Sequence, residues 1–502
     1  MNILFTALYP MWHYHYAAEL NLVQKHLDAG ESVTILTCDA FQKNCEANPD
    51  NASYHCARCI GIRQDGINQL HGNIQFRPLI NVKAKASMSQ LAYRSLDELK
   101  KLRIENFDIG SSVYSSLVDR TKTQSPCIIK NKKTIDALLE DAAKIYFSAK
   151  ETLAESDFDL VYIFNGRYAG ARPWMRACQM KNMDFIIHEK SSSLDRIHLF
   201  KNDIPHNPEY YPQKIREFWD KSSNDDVVVQ QATDFFEERP KGKLTGWKSF
   251  VSEQDKSLLP KSWNENAKNV TIFTSSDSEY AAIDDFQKHY KGQEEQFKKI
   301  IGLTLAQNTQ IQFYIRIHPN SKNELHKWWH GSFFKKSSNC EVIDPDSLIS
   351  SYTLLLNSSI VISSHSSIGL EATYWGKPSI IINRAFYSKI DAVYETDSAE
   401  AVVKLILSDP PPKPKKNALK FAAFHRCAGM LLPFSRSINY YTLDFKGKIL
   451  EARREVHEWL GDCEKRPAVS GLKKWLQDRK DRRDFAKLWD QCGGWFAESP
   501  KK

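Results

Sequence analysis

Short β-branched runs alternate with helix-spaced segments along this chain, and they do so in two separate series. Ile3 to Leu8 is a short apolar run, and Tyr16 to Leu27 places Leu20, Val23 and Leu27 at helical spacing. Gly30 stops that helix, and Val33 to Thr37 is β-branched again. A β-α-β opening of this kind starts a parallel, doubly wound sheet. Residues 40–80 read as irregular and 84–155 as mainly helical, through Leu91, Leu96, Leu99, Ile135, Leu138, Leu139 and Ala142. Leu160 to Phe164 and Phe185 to His188 continue the sheet around a helix at Pro173 to Met180. After a polar, proline-punctuated stretch the second series begins: Val270 to Phe273, Ile311 to Ile317, a short strand at Val342, Ile360 to Ile362 and Ser379 to Ile382, with helices between. Pro410 to Pro414 marks a break, beyond which Ala418 to Trp495 reads as mostly helical. The expected class is α/β: two facing Rossmann-like doubly wound domains, at 1–200 and 266–405, with a connecting region at 201–265 and a helical C-terminal segment at 406–502. Two such domains turn the carboxyl ends of both sheets onto a shared cleft, which suits an enzyme with two substrates.

Composition narrows the reading further. With 502 residues, 42% apolar and 26% charged, the chain can bury a sizeable core and is not disordered. Its apolar runs are all too short to span a membrane, and Met1 to Pro10 enters a strand directly, with no basic leader. A cytoplasmic chain is expected. The net charge of +8 is too thinly spread over this length to argue for nucleic acid. Part of it gathers in Lys413, Lys415 and Lys416 and in the run Lys473, Lys474, Arg479, Lys480, Arg482 and Arg483. That run reads either as a solvated helix face or as a peripheral contact with an anionic inner membrane. The loop after the first strand, Tyr9-Pro10-Met11-Trp12-His13, lacks a G-x-G-x-x-G, so a nicotinamide dinucleotide loses ground.

Three segments of the second series carry chemistry. In Tyr314-Ile315-Arg316-Ile317-His318-Pro319 a strand ends, Pro319 stops pairing, and His318 is aimed at the carboxyl edge. There an imidazole can donate to a phosphate or neutralise one that leaves, and Arg316 can meet an anionic donor; a packing histidine is the plainer alternative. In Ile360-Val361-Ile362-Ser363-Ser364-His365-Ser366-Ser367-Ile368-Gly369-Leu370-Glu371-Ala372 a buried strand runs through small hydroxyls into a helix, whose first N–H groups and dipole favour an anion. Ser366 and Ser367 can add donors or simply cap the helix, and Glu371 can accept from ribose hydroxyls or sit solvated. The third segment, Phe273-Thr274-Ser275-Ser276-Asp277, places Ser275 and Ser276 at the same edge, as phosphate donors or turn formers.

The run Arg-x-His-Pro, followed by Ser-Ser-x-x-x-x-Glu-Ala and Gly-Lys-Pro at 376–378, resembles the donor domain of bacterial capsule and surface polysaccharide glycosyltransferases of the GT-B fold. It is similar in particular to the capsule polysaccharide family that includes Kdo transferases using CMP-Kdo. CDP-glycerol glycerophosphotransferases share a similar Arg-x-His-Pro pattern. The resemblance is specific over about residues 270–385 and implies that His318, Ser366 and Ser367 hold the nucleotide phosphate and Glu371 the ribose.

In the first domain, Phe164-Asn165-Gly166-Arg167 and Phe185-Ile186-Ile187-His188-Glu189-Lys190 end two strands. Asn165, Arg167 and His188 are expected to hold sugar or acceptor groups, Arg being suited to a carboxylate, and Glu189 to act as general base. A buried Arg167–Glu189 pair is the structural alternative. Four of the ten cysteines, Cys38, Cys45, Cys56 and Cys59, crowd into 22 positions. They supply either a tetrahedral structural zinc or free thiols. Catalysis itself is expected to need no cofactor. The sequence thus points to a metal-independent transferase moving a sugar from a nucleotide-activated donor to a polysaccharide or lipid-linked acceptor. A glycerophosphotransferase, a nucleotide-sugar epimerase and a carbohydrate-binding scaffold of a capsule assembly complex are the competing expectations.

Overall fold

The computed structural model describes residues 1–6, 9–80, 91–123, 125–205, 207, 209–243, 251, 254–275, 293–319, 337–439, 442–452 and 454–491. The first domain runs β1 (Asn2–Phe5), α1 (His13–Asp28), β2 (Ser32–Thr37), α2 (Ser53–Ile67), β3 (Ile74–Pro78), α3 (Leu96–Lys101), α4 (Ile109–Thr121), α5 (Lys132–Glu155), β4 (Leu160–Phe164), α6 (Arg172–Met180), β5 (Phe185–Lys190) and β6 (Arg196–Lys201). Two helices, α7 (Tyr210–Ser222) and α8 (Asp226–Glu238), connect it to the second domain. That domain runs β7 (Lys268–Phe273), α9 (Gln293–Leu305), β8 (Ile311–Arg316), β9 (Cys340–Ile343), α10 (Ser351–Asn357), β10 (Ile360–Ser363), α11 (Ser367–Tyr374), β11 (Ser379–Ile381), β12 (Tyr394–Glu395) and α12 (Ala399–Ser408). The chain then passes through α13 (Lys415–Cys427), β13 (Met430–Leu431), the hairpin β14 (Asp444–Phe445) and β15 (Lys448–Ile449), α14 (Arg454–Glu464) and α15 (Gly471–Gln491).

Both sheets have the same winding. The first is ordered β13-β6-β5-β4-β1-β2-β3 and the second β12-β11-β10-β7-β8-β9. Counted within each domain, both contain the order 3-2-1-4-5-6 of a doubly wound nucleotide-binding sheet. The pairs are parallel except where β6 joins β5 and β13 joins β6. Central strands buried on both faces explain the unbroken apolar runs: Val270, Ile272, Ile315, Ile360 and Ile362 lie in one core under α9 and α12. Each such side chain contributes about 1.5–3 kcal/mol by leaving water. In this order the winding direction reverses between β1 and β4 and again between β7 and β10, and these two points are where ligands sit in such sheets.

Two sequence expectations change. The stretch 40–80 is not irregular throughout: it contains α2 and the edge strand β3, which pairs with β2 from Val33↔Ile74 to Thr37↔Pro78. Ile74-Gln75-Phe76-Arg77-Pro78 alternates, but over too few residues to separate it from loop. The segment 406–502 is not simply helical either. Its strand β13 adds to the edge of the first sheet, and Leu432, Leu443, Phe445 and Leu450 join the core that contains Ile3 and Val33. The chain therefore crosses from the second domain back to the first. The crossing helix α13 packs on α7, α8 and α11, so three helices that belong to neither sheet tie the domains together. Among the described residues no helix is long and apolar enough to cross a membrane.

Candidate functional site

At the second sheet's reversal point the ends of β7 and β10 meet: the His365 backbone N–H donates to Ser275 Oγ at 3.2 Å. On one side, the His318 N–H after β8 donates to Thr274 Oγ1 at 2.8 Å. On the other, Asn383 after β11 donates through Nδ2 to Ser364 Oγ at 2.8 Å, and Ser364 Oγ lies 3.1 Å from His365 Nδ1. Four adjacent strand ends are thus laced together by hydroxyls, an amide and two histidines, with no carboxylate among these bonds. Gln293 fastens Ser275 from beneath by a pair of 2.9 Å bonds to its backbone. Ser366 caps α11, accepting from the Ile368 N–H at 3.4 Å, and its carbonyl accepts from Tyr387 Oη. Gly369 permits that approach: a Cβ there would lie 2.7 Å from Ser363 Oγ and 2.9 Å from Tyr387 Oη. Burial lowers the His318 imidazole to about 4, and Arg316 pushes the same way. It is a neutral donor at neutral pH rather than the imidazolium that the sequence also allowed. Ser276 and Asp277 lie outside the described residues.

Two residues expected at this cradle are placed differently. Arg316 is buried and donates through Nη1 to the Asp344 carbonyl and through Nη2 to the Ser347 carbonyl at 3.1 Å. It holds the loop after β9, because a guanidinium inside the sheet must spend its donors on nearby carbonyls. Glu371 is 1% exposed and is not solvated. Its Oε1 lies 3.1 Å from Arg239 Nη2 and accepts from Ser367 Oγ at 3.1 Å, while Oε2 accepts from Tyr352 Oη. Arg239 belongs to the short 3-10 turn that ends the connecting helices, so this buried pair pins the connection to α11.

The first sheet's carboxyl edge is built from charge. Asn165 follows β4 with φ +58, a left-handed conformation that Asn tolerates, and Gly166 follows at φ +78. The φ of Gly166 favours glycine, and a Cβ there would also stand 2.3 Å from Ile187 Cδ1 of β5. The turn delivers Asn165 Nδ2 to Glu189 Oε2 at 2.6 Å, and Glu189 Oε1 accepts from the Lys190 N–H at 2.9 Å and lies 3.7 Å from His15 Nε2. Glu189 remains about a quarter exposed. Arg167 lies over the Tyr168 ring, 4.4 Å from its centroid, and donates to that hydroxyl at 2.5 Å. His188 is closed off: it is 1% exposed, with Nε2 3.2 Å from Glu19 Oε1. Glu19 therefore occupies the partner that a sugar hydroxyl was expected to take.

Three groups here were not singled out from the sequence. His15 and Glu19 stand one turn apart on α1 and face the ends of β4 and β5, His15 packing 4.3 Å from the Phe164 ring. Burial pushes the Glu19 carboxyl up and the His15 imidazole down to about 4. Glu46, on the loop after β2, accepts from Ser116 Oγ at 2.7 Å, and burial raises its carboxyl as well. The available signal was a lone Glu inside the run Tyr16-Ala17-Ala18-Glu19-Leu20, where a charge interrupts an otherwise apolar stretch.

The four clustered cysteines come from the loop after β2 and from α2. Burial pushes all four thiols up, Cys38 to about 11 and Cys59 to about 12, and Asn48 Nδ2 donates to Cys56 Sγ at 3.2 Å. Among the described residues no group of three or more ligating side chains is placed to hold a metal, so the expected tetrathiolate set is not assembled. The helix that carries Cys56 and Cys59, α2, packs against α14 and α15.

Both edges reach the crossing helices. Ser191, just after β5, donates to the His425 carbonyl of α13 at 2.7 Å. After β11, the Phe386 ring packs 4.8 Å from Tyr211 of α7, and Tyr387 packs 5.8 Å from Phe421 of α13. The charged edge and the hydroxyl cradle therefore rest on one shared support.

No family model and no curated protein sequence matches the chain. Among solved structures it is similar to the β-Kdo 2,4-transferase KpsC of Thermosulfurimonas dismutans, at 14% identity and TM-score 0.37 over 61% of this chain and 88% of that one. It is also similar to UDP-GlcNAc 2-epimerase from Neisseria meningitidis bound to UDP-GlcNAc, at 13% identity and TM-score 0.28 over 84% and 94%. A putative UDP-N-acetylglucosamine 2-epimerase from Listeria monocytogenes is similar at 9% identity and TM-score 0.26 over 94% and 99%. These scores are low, and the assignment as two doubly wound α/β domains rests on the winding of the two sheets.

Proposed function

We propose that the protein transfers a sugar from a nucleotide-activated donor, CMP-linked in the reading closest to its motifs, to a polysaccharide or lipid-linked acceptor. The observation that carries this is the cradle of Thr274, Ser275, His318, Ser364 and His365 at the second sheet's reversal point, a set of neutral donors suited to a nucleotide phosphate. In the proposed mechanism Glu189, aimed by Asn165, takes the acceptor hydroxyl proton as that oxygen attacks the anomeric carbon. The bond to the phosphate oxygen breaks, and His318 with the first N–H groups of α11 stabilises the departing anion. Arg167 would meet a carboxylate on the donor sugar or acceptor. Ribose recognition by Glu371 would require its carboxylate to exchange Tyr352 or Ser367 for the sugar hydroxyls.

The test is release of free nucleotide from a panel of nucleotide sugars in the presence of EDTA, with and without acceptor. Transfer to acceptor by wild type and its loss in His318→Ala support the reading. An epimerised sugar without acceptor, or glycerol phosphate transfer from CDP-glycerol, would replace it with one of the other two activities. Nucleotide binding with no turnover on any donor would point to a scaffold.

A further inference from the structure

The helix α15 packs against α2 by one face only. Phe485 is buried, Leu488 packs beside it, and two of the acids of this helix serve that side: Asp478 accepts from Ser53 Oγ at 3.1 to 3.3 Å through its carbonyl and carboxylate, and Asp481 pairs with Arg466. The opposite face is unusual. Leu472 is 71% exposed, Trp475 54% and Leu476 52%, and Val469 just ahead of the helix is 40% exposed. At about 3.6 residues per turn these positions form one stripe, and the same stripe continues one and two turns later into Arg479 and Arg483, flanked by Lys480 and Lys487. The Arg479 guanidinium lies 5.3 Å from the centre of the Trp475 ring.

We infer that this face of α15 docks on an anionic lipid surface. Large apolar side chains held out in water are costly unless something covers them, and three within about one turn with a fourth just ahead of the helix make a contiguous patch. The charges choose the cover. Asp478 and Asp481 on the packed side are spent within the protein, while the outward face carries Arg479, Lys480, Arg483 and Lys487 ahead of Asp490. An apolar wedge followed by a basic stripe along one helix face matches the acyl boundary and phosphate layer of a bilayer, with the tryptophan at the interface. A second copy of this chain would bring the same cations against each other and is disfavoured on charge. The inference stands on α15 alone and does not need the proposed glycosyl transfer, although it would bring the site to a lipid-linked acceptor.

The full chain is to be sedimented with vesicles of phosphatidylcholine alone and with about one-third phosphatidylglycerol added. Sedimentation with the anionic vesicles only, weakened by salt, is expected. Trp475→Glu with Leu476→Glu should lower partitioning about tenfold or more, and Arg479→Gln with Arg483→Gln should lower it about tenfold at low salt while removing most of the salt dependence. All four positions are exposed, so unchanged thermal melting checks that the variants fold. The inference is overturned if wild type stays in solution with both vesicles, if both variants partition as wild type does, or if Trp475→Glu instead abolishes a concentration-dependent dimer. Because no donor is present, the outcome leaves the transferase test untouched.

Discussion

The carboxyl edges of the two sheets share a strand order and differ in chemistry. Among the described residues the second edge is laced by hydroxyls and amides, and the carboxylate of Glu371 is locked behind in a pair with Arg239. The first concentrates Glu19, Glu46, Glu189, His15, His188, Arg167 and Lys190 around two strand ends. Neutral donors suit an anion whose charge spreads over several oxygens and whose release must not be blocked by a tight ion pair. Titratable groups suit proton transfer. Under the proposed transfer the same winding would support binding at one edge and acid–base work at the other, the difference lying in the residues that follow each strand.

That division can be broken most sharply at Glu189. Glu189→Gln can still accept from Asn165 through Oε1, at the cost of the Lys190 N–H bond, but removes the base, so turnover should fall about 10²- to 10⁴-fold while nucleotide affinity, measured by calorimetry, stays within a factor of about two. Loss of nucleotide affinity instead would erase the distinction between the edges. Arg239→Met strands the buried Glu371 carboxylate and should cost about 3–5 kcal/mol in denaturant unfolding, whereas Arg239→Met with Glu371→Leu should recover most of that. His318→Ala removes a donor to a charged group, about 1.5–3 kcal/mol, and should weaken nucleotide binding about ten- to a hundredfold without changing acceptor affinity.

The smallest effect concerns acid. Burial holds His15, His198 and His318 near 4 and pushes His425 well down, against about 6.5 in an unfolded chain. At these histidines the unfolded state binds more protons between pH 6.5 and 4, so their contribution to stability falls as the pH drops through that window and is flat above it, while the raised Glu19 and Glu46 carboxyls oppose it. His198→Gln should reduce the slope of melting temperature against pH. An unchanged slope would show that His198 does not contribute.

Much of the second domain was legible because its chemistry lies in contiguous segments. Strand, hydroxyl turn and helix follow one another from Ile360 to Ala372, and Arg316 to Pro319 ends a strand, so local pattern places His318, Ser366 and Ser367 at one edge. The first domain was less legible. His15 and Glu19 lie on a helix whose pattern reads as core, and they reach the site only because α1 packs over the ends of β4 and β5. The roles of Arg316, Glu371 and His188 depended on partners 28, 132 and 169 residues away along the chain, at Asp344, Arg239 and Glu19.

What the sequence by itself determined is the class: two doubly wound α/β series, with hydroxyl-rich strand ends in the second and Asn165 and Glu189 at strand ends in the first. Periodicity is local, so it survives without knowledge of any distant contact. What only the tertiary structure decided is which polar groups face which. It locked Glu371 to Arg239, closed His188 onto Glu19, left the four cysteines without a metal-ligating arrangement, and returned the C-terminal chain to the first sheet. The first two follow from the cost of burying a polar group unpaired, and the return follows from the apolar side chains of the C-terminal segment joining the first core.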